Sequence, residues 1–200
     1  MTTVLFSMAL FALIGAITPG PVNIIATSSG ASFGFLRTLP HVLGATVSYT
    51  LIVFLVGIGL NQLLQNTPAF TEILKYVGSI FLLYMAYKIA TASSGPEDEK
   101  TNTSPPSFIH GALCQGLNPK AWLVSMSGVS VFVLSQNSSE FYLLAYCLIS
   151  FILCFVGVGT WAVAGHLIKD LLKAPGRQKL FNQVMGFLLS LTVISILISG

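Results

Sequence analysis

The 200-residue chain is 54% hydrophobic and 8% charged, with a mean hydropathy of +0.84 and a formal net charge of +3. Soluble domains carry about 25% charged residues, so the composition excludes a soluble domain and describes an integral membrane protein. Its apolar runs reach the roughly 20 residues that a membrane helix needs and lack the strict alternation of a membrane β-barrel.

The first apolar run carries no charge from Met1 to Leu36 and contains Thr18, Pro19, Gly20 and Pro21. A first span is expected over residues 4–27, interrupted there. Each proline removes an N–H donor and clashes with the carbonyl one turn back, at about 3 kcal/mol or more in a helix interior. Freed carbonyls have no water in hydrocarbon, so such a break survives only against protein or a polar cavity. It is either a binding elbow or a plain kink, since proline and glycine are common in membrane helices. The segment before Gly15 lacks a positive n-region, so a cleaved signal peptide is not expected.

A short turn carrying Gly30, Gly34 and Arg37 leads to a second span over 39–64, and a third is expected over 71–92. Residues 93–107 read as a solvated linker holding Glu97, Asp98, Glu99 and Lys100. Three more spans follow, over 108–134, 141–167 and 180–199. The predicted fold is thus an all-α bundle of six transmembrane helices in one membrane domain. Arg37, Lys88, Lys100, Lys169, Lys173, Arg177 and Lys179 gather on one face, with Lys75 alone on the other. The positive-inside rule places that basic face in the cytoplasm and both termini outside.

The linker separates two halves of three spans, residues 1–92 and 108–200. An odd number of spans per half reverses the second half in the membrane, as in an inverted repeat. Span four breaks at Asn118-Pro119-Lys120, the counterpart of the break at Pro19. Interrupted helices at matching places point to a binding site at the repeat interface.

Lys120 is the one lysine placed well inside a span, and no Asp or Glu lies deep in any span. A lysine at a helix centre costs about 2.5–3.5 kcal/mol on insertion scales and usually faces a cavity or partner. A substrate carboxylate would serve; so would carbonyls freed at Pro119, or snorkelling to the interface. Gln115, Asn118, Trp122 and Ser125 recur at steps of three, four and three, which puts them on one face of a continuous helix. His41, Gly44 and Ser48 form a shorter stripe, as do Asn23 and Thr27. Such stripes line cavities or bond helix to helix. Asn182, Gly186 and Ser190, and Ser150, Cys154, Gly157 and Trp161, read as packing rows.

His110 and His166 sit near the basic face, where a histidine is a proton-coupling candidate or a polar anchor. Cys114, Cys147 and Cys154 lie in apolar runs without disulfide or zinc spacing. No phosphate loop, Gly-x-Ser-x-Gly or His-Glu-x-x-His motif occurs, so neither an enzyme nor direct ATP use is expected, and no cofactor or metal. The candidate substrate-binding set is Thr18, Pro19, Gly20, Pro21, Asn23, His41, Ser48, Gln115, Asn118, Pro119, Lys120 and Trp122.

Ile17-Thr18-Pro19-Gly20-Pro21-Val22-Asn23 resembles the signature of the lysine/threonine exporter family (LysE/RhtB). Asn118-Pro119-Lys120 is similar to its second motif, and Tyr84 to Lys88 after Gly78 to the end of its third span. The resemblance covers essentially the whole chain. It implies efflux of amino acids across the bacterial inner membrane, driven by the proton gradient. Lysine and arginine exporters carry Gly-Pro-Gln-Asn at the first break. Gly20-Pro21-Val22-Asn23 here is nearer the branch for small neutral amino acids, with Val22 where that branch commonly has Asn. Lys88 to Thr91 and Ala162 to Leu167 resemble members exporting cysteine and O-acetylserine.

The implied partners are a small amino acid, membrane lipids, the proton as coupling ion and a second copy in a homodimer, with no nucleic acid. The substrate carboxylate would meet Lys120 or a half-helix N-terminus, and its ammonium the carbonyls at the breaks. Two other readings are an intramembrane thiol-redox protein using Cys114 and a channel-like membrane subunit.

Overall fold

The computed structural model describes residues 2–60, 68–92, 104–136, 138–173 and 176–198. The acidic cluster Glu97–Asp98–Glu99 and Lys100 lie outside the described residues, as does the rest of the expected linker up to residue 103.

Eight α-helices and no strands form among the described residues: α1 (Thr2–Ile17), α2 (Pro21–Phe33), α3 (Phe35–Leu55), α4 (Pro68–Ala90), α5 (Phe108–Gly116), α6 (Pro119–Val129), α7 (Ser139–Ile168) and α8 (Arg177–Ile198). Short π-helical turns extend α3 over Val56–Leu60 and α6 over Ser130–Leu134. The helices α3, α7 and α8 are each long and apolar enough to cross a membrane alone. The pairs α1–α2 and α5–α6 each qualify as one broken span, bent by 60° and 65°. With 23 residues in α4, at about 1.5 Å each, that helix is also long enough to reach across about 30 Å of hydrocarbon. The molecule is an all-α membrane bundle.

Both breaks arise from the same local chemistry. Pro21 and Pro119 occupy the first turns of α2 and α6, where a missing N–H costs nothing because those donors have no helical partner anyway. Gly20 is extended ahead of α2, and Asn118 caps α6 by accepting a hydrogen bond from the Lys120 N–H. A continuous fourth helix is thereby ruled out. The polar row from Gln115 to Ser125 is split between α5 and α6 and does not share one face.

The turn after α2 is tighter than the sequence suggests. Gly30 lies inside α2 and Arg37 inside α3, so Gly34 alone makes the turn, with φ +86°, a conformation that glycine adopts without strain. Gly30 is small for another reason: a side chain there would run into the Ala162 backbone of α7.

The long helices α3 and α7 pack on each other at the centre. Helix α2, buried at every residue from Pro21 to Ala31, lies against α7, while α5 lies against α3. Glycines set both approaches. Gly165 of α7 abuts the Thr27 carbonyl, and Gly44 and Gly111 let α3 and α5 meet backbone to backbone. Helix α4 pairs with α8 at the side, where Gly186 meets Ala86 and Ala90. The row Asn182, Gly186, Ser190 is a packing row, with Asn182 donating to the Ala92 carbonyl at 3.4 Å.

Candidate functional site

The two breaks meet. Residues from both line one small cleft of about 40 Å³, room for a few waters and well below the roughly 300–1,000 Å³ usual for small-molecule sites. From the predicted set, Thr18, Gly20, Asn23, Gln115, Asn118 and Lys120 line it. The half-buried Lys120 side chain reaches across and donates from Nζ to the Thr18 carbonyl at 3.3 Å. This lysine therefore serves the carbonyl freed at the opposite break, 102 residues away, and not one freed at Pro119.

The remaining carbonyls of the first break are also engaged. Asn23 Nδ2 donates to the carbonyls of Ala16 at 2.9 Å and Thr18 at 3.0 Å. Trp161 Nε1 donates to Ile17 at 3.2 Å, and Thr18 Oγ1 to Ile14 at 2.5 Å. The expectation that these carbonyls stand open for a substrate ammonium meets a different picture: side chains already occupy them. At the second break Trp122 Nε1 donates to the Gly116 carbonyl at 2.8 Å, and Asn118 Nδ2 lies 3.4 Å from Gln115 Oε1.

The other predicted positions fall elsewhere. Pro19, Pro21 and Pro119 shape the breaks without lining the cleft, and Trp122 is spent on Gly116. Ser48 faces Gly116, and Gly44 meets Phe108 and Ala112, so the short row on α3 serves contact with α5. His41 is fully buried behind the cleft, with both ring nitrogens unpartnered. His110 is tied into the α5 cap through Ser107, and His166 lies against Gly34. Tyr49, Cys154 and Val158 also line the wall. Of these, Cys154 stood in the row on α7 read as packing, Val158 carried no signal, and nothing marked Tyr49 as different from any other apolar-span tyrosine.

The electrostatics of the cleft favour an anion. The first turns of α2 and α6 both border it, and helix N-termini carry partial positive charge and free N–H groups. Lys120 adds a full charge, while among the described residues no carboxylate lines the wall. The three cysteines are free, and Cys114 is buried away from the cleft that Cys154 lines, so the pair needed by a redox carrier is not assembled there.

Comparison with known proteins gives the family of the chain. The family model described as LysE type translocator matches residues 13–200. A "Cysteine/O-acetylserine efflux protein" of Escherichia coli O1:K1 / APEC is 32% identical over 188 residues, covering 94% of each chain. The protein of that name from Salmonella paratyphi A is 31% identical over 179 residues, 90% of each chain. No solved structure matches. The chain is a multi-pass membrane translocator and not an enzyme, and it belongs to the LysE type translocator family.

Proposed function

We propose that the protein is a secondary exporter of small neutral amino acids or their derivatives, with cysteine and O-acetylserine, or threonine and homoserine, as the substrates to try first. It would work in the bacterial inner membrane with both termini on the outer side, by proton-coupled alternating access. The observation that carries this reading is the Lys120 ammonium resting on the Thr18 carbonyl where the two broken spans meet. A substrate carboxylate would take the ammonium from Thr18, because it adds the attraction of two opposite full charges, strengthened away from bulk water, to the hydrogen bond that a neutral carbonyl offers. The first turns of α2 and α6 would stabilise the same carboxylate. The neutral side chain would lie along Tyr49, Cys154 and Val158. A lysyl or arginyl substrate would bring a second cation to a wall without a carboxylate, which disfavours it.

The pairing of α3 with α7 and of α4 with α8 supports reading residues 1–92 and 108–200 as inverted repeats, each contributing one elbow. Alternating access would then rock one half against the other around the cleft. Thermal unfolding of the purified protein across a panel of amino acids tests the reading, since a ligand of the folded state raises its stability by mass action. Neutral amino acids are expected to stabilise it and their carboxamides are not. Equal stabilisation by acid and amide would remove the carboxylate clamp. Counterflow in proteoliposomes would separate a carrier from a channel.

A further inference from the structure

We infer that His41 is where the coupling proton binds, an assignment that rests on the proton-coupled reading above. The residue lies near the start of α3, fully buried. Among the described residues neither Nδ1 nor Nε2 has a hydrogen-bond partner, although buried polar groups are almost always paired. The ring lies beside the Val22 main chain without closing a hydrogen bond to it, and Val22 lines the cleft. Gly111 of α5 presses on the His41 carbonyl and fixes the backbone behind the ring. A phenylalanine or leucine would fill such a slot without leaving two nitrogens bare.

Elimination points the same way. Imidazole is the side chain whose ordinary titration falls between about pH 5 and 8. The acidic residues, Glu72, Glu97, Asp98, Glu99, Glu140 and Asp170, lie in connections or at span ends. Helix α2, which seals one side of the ring, carries no titratable side chain. From α5, His110 faces His41, but its Nδ1 lies 3.0 Å from Ser107 Oγ; Cys114 is on the same helix. From α6 the ionisable group is Lys120. Helix α7 offers Tyr142, Tyr146, Cys147 and Cys154 along its length, with Glu140 and His166 at its two ends. Thiols, phenols and ammonium groups ordinarily titrate well above neutrality.

The location supplies a coupling device. An imidazolium cannot persist in a dry slot without a partner, so proton binding requires the slot to open to water. The wall that must move is the first turn of α2, directly after the first break. Lys120 holds that same break through Thr18. Substrate at Lys120 and a proton at His41 therefore act on one elbow from opposite sides, and each changes the affinity for the other by its preference between closed and open states.

The test uses the full protein in proteoliposomes loaded with a transported neutral amino acid. Three readouts are followed: movement driven by a pH gradient, substrate-driven proton flux seen by an entrapped pH dye, and one-for-one substrate exchange. Wild-type protein is expected to show all three. His41→Gln is expected to lose the first two, while its exchange continues without responding to pH. Absence of pH-driven movement in the wild type would sink the proton-coupled reading itself. Coupled wild type together with coupled His41→Gln would leave that reading standing and overturn the role of His41, passing it to Lys120. Should His41→Gln fail to yield folded protein, histidine-labelled wild type is titrated by NMR, with His110→Gln and His166→Gln identifying the third ring. A His41 signal that shifts with pH, and whose midpoint moves on adding substrate, upholds the assignment. One that stays neutral in both conditions overturns it.

Discussion

The two breaks bend their spans by nearly the same angle, 60° and 65°, yet they are held differently. Hydrogen bonds from its own neighbours hold the second: Asn118 caps the helix that follows it, and Trp122 reaches back to Gly116. The first depends on distant chain, with Trp161 from α7 on Ile17 and Lys120 from α6 on Thr18. Asn23 supplies the local share. A break capped by its own neighbours keeps its hydrogen bonds when other helices move. One capped from two other helices changes when they move or when a ligand takes a donor away. The second elbow is thus suited to present Lys120, and the first to respond.

The largest effect on this asymmetry is expected from Lys120→Ala, which should abolish export while the protein still inserts and runs as a single species in detergent. Efflux from proteoliposomes measures it. Near wild-type rates would mean that the first elbow does not need the contact from across the cleft. Next comes Asn23→Ala against Asn118→Ala. Losing Asn23 leaves the half-buried Ala16 carbonyl without its side-chain donor and removes the bond to Thr18 as well, at up to about 1–3 kcal/mol, the range for a buried unpaired group. Losing Asn118 costs about 1 kcal/mol, as for a helix cap. Thermal unfolding should rank them in that order, and Asn23→Ala should also slow transport more. The smallest effects are expected from Trp161→Phe and Trp122→Phe, each about 0.5–1.5 kcal/mol for one hydrogen bond. Transport should fall several-fold only in Trp161→Phe. Equal transport defects in the pair would erase the distinction between the two elbows.

Much of the site was legible because proline writes directly on the backbone. Pro19, Pro21 and Pro119, clustered with Gly20 and Asn118, mark the breaks, whereas the lone Pro40 sits inside α3 without interrupting it; Asn118 and Lys120 stand beside the second break by covalent connection alone. Lys120 was also conspicuous because a charge in hydrocarbon demands a partner. The partner itself, Thr18, was not legible, since no local rule brings residues 102 positions apart together. Tyr49 and Val158 carried no signal of their own. His41 and Ser48 had the polarity of cleft residues but point toward α5 and the back of α2, because Gly44 and Gly111 turn that face of α3 into a backbone contact.

By itself the sequence determined that the chain is a helical membrane bundle, where its two helices break, and that the interior holds one lysine without an acidic mate. Those follow from composition and from chemistry confined to neighbouring residues. Only the tertiary structure decided that the breaks share one cleft, that Lys120 rests on the far break, and that His41 is sealed behind it. These depend on how closely the helices approach. In this protein that distance is set by glycines against backbone at Gly30, Gly44, Gly111 and Gly165, contacts whose partners lie far along the chain.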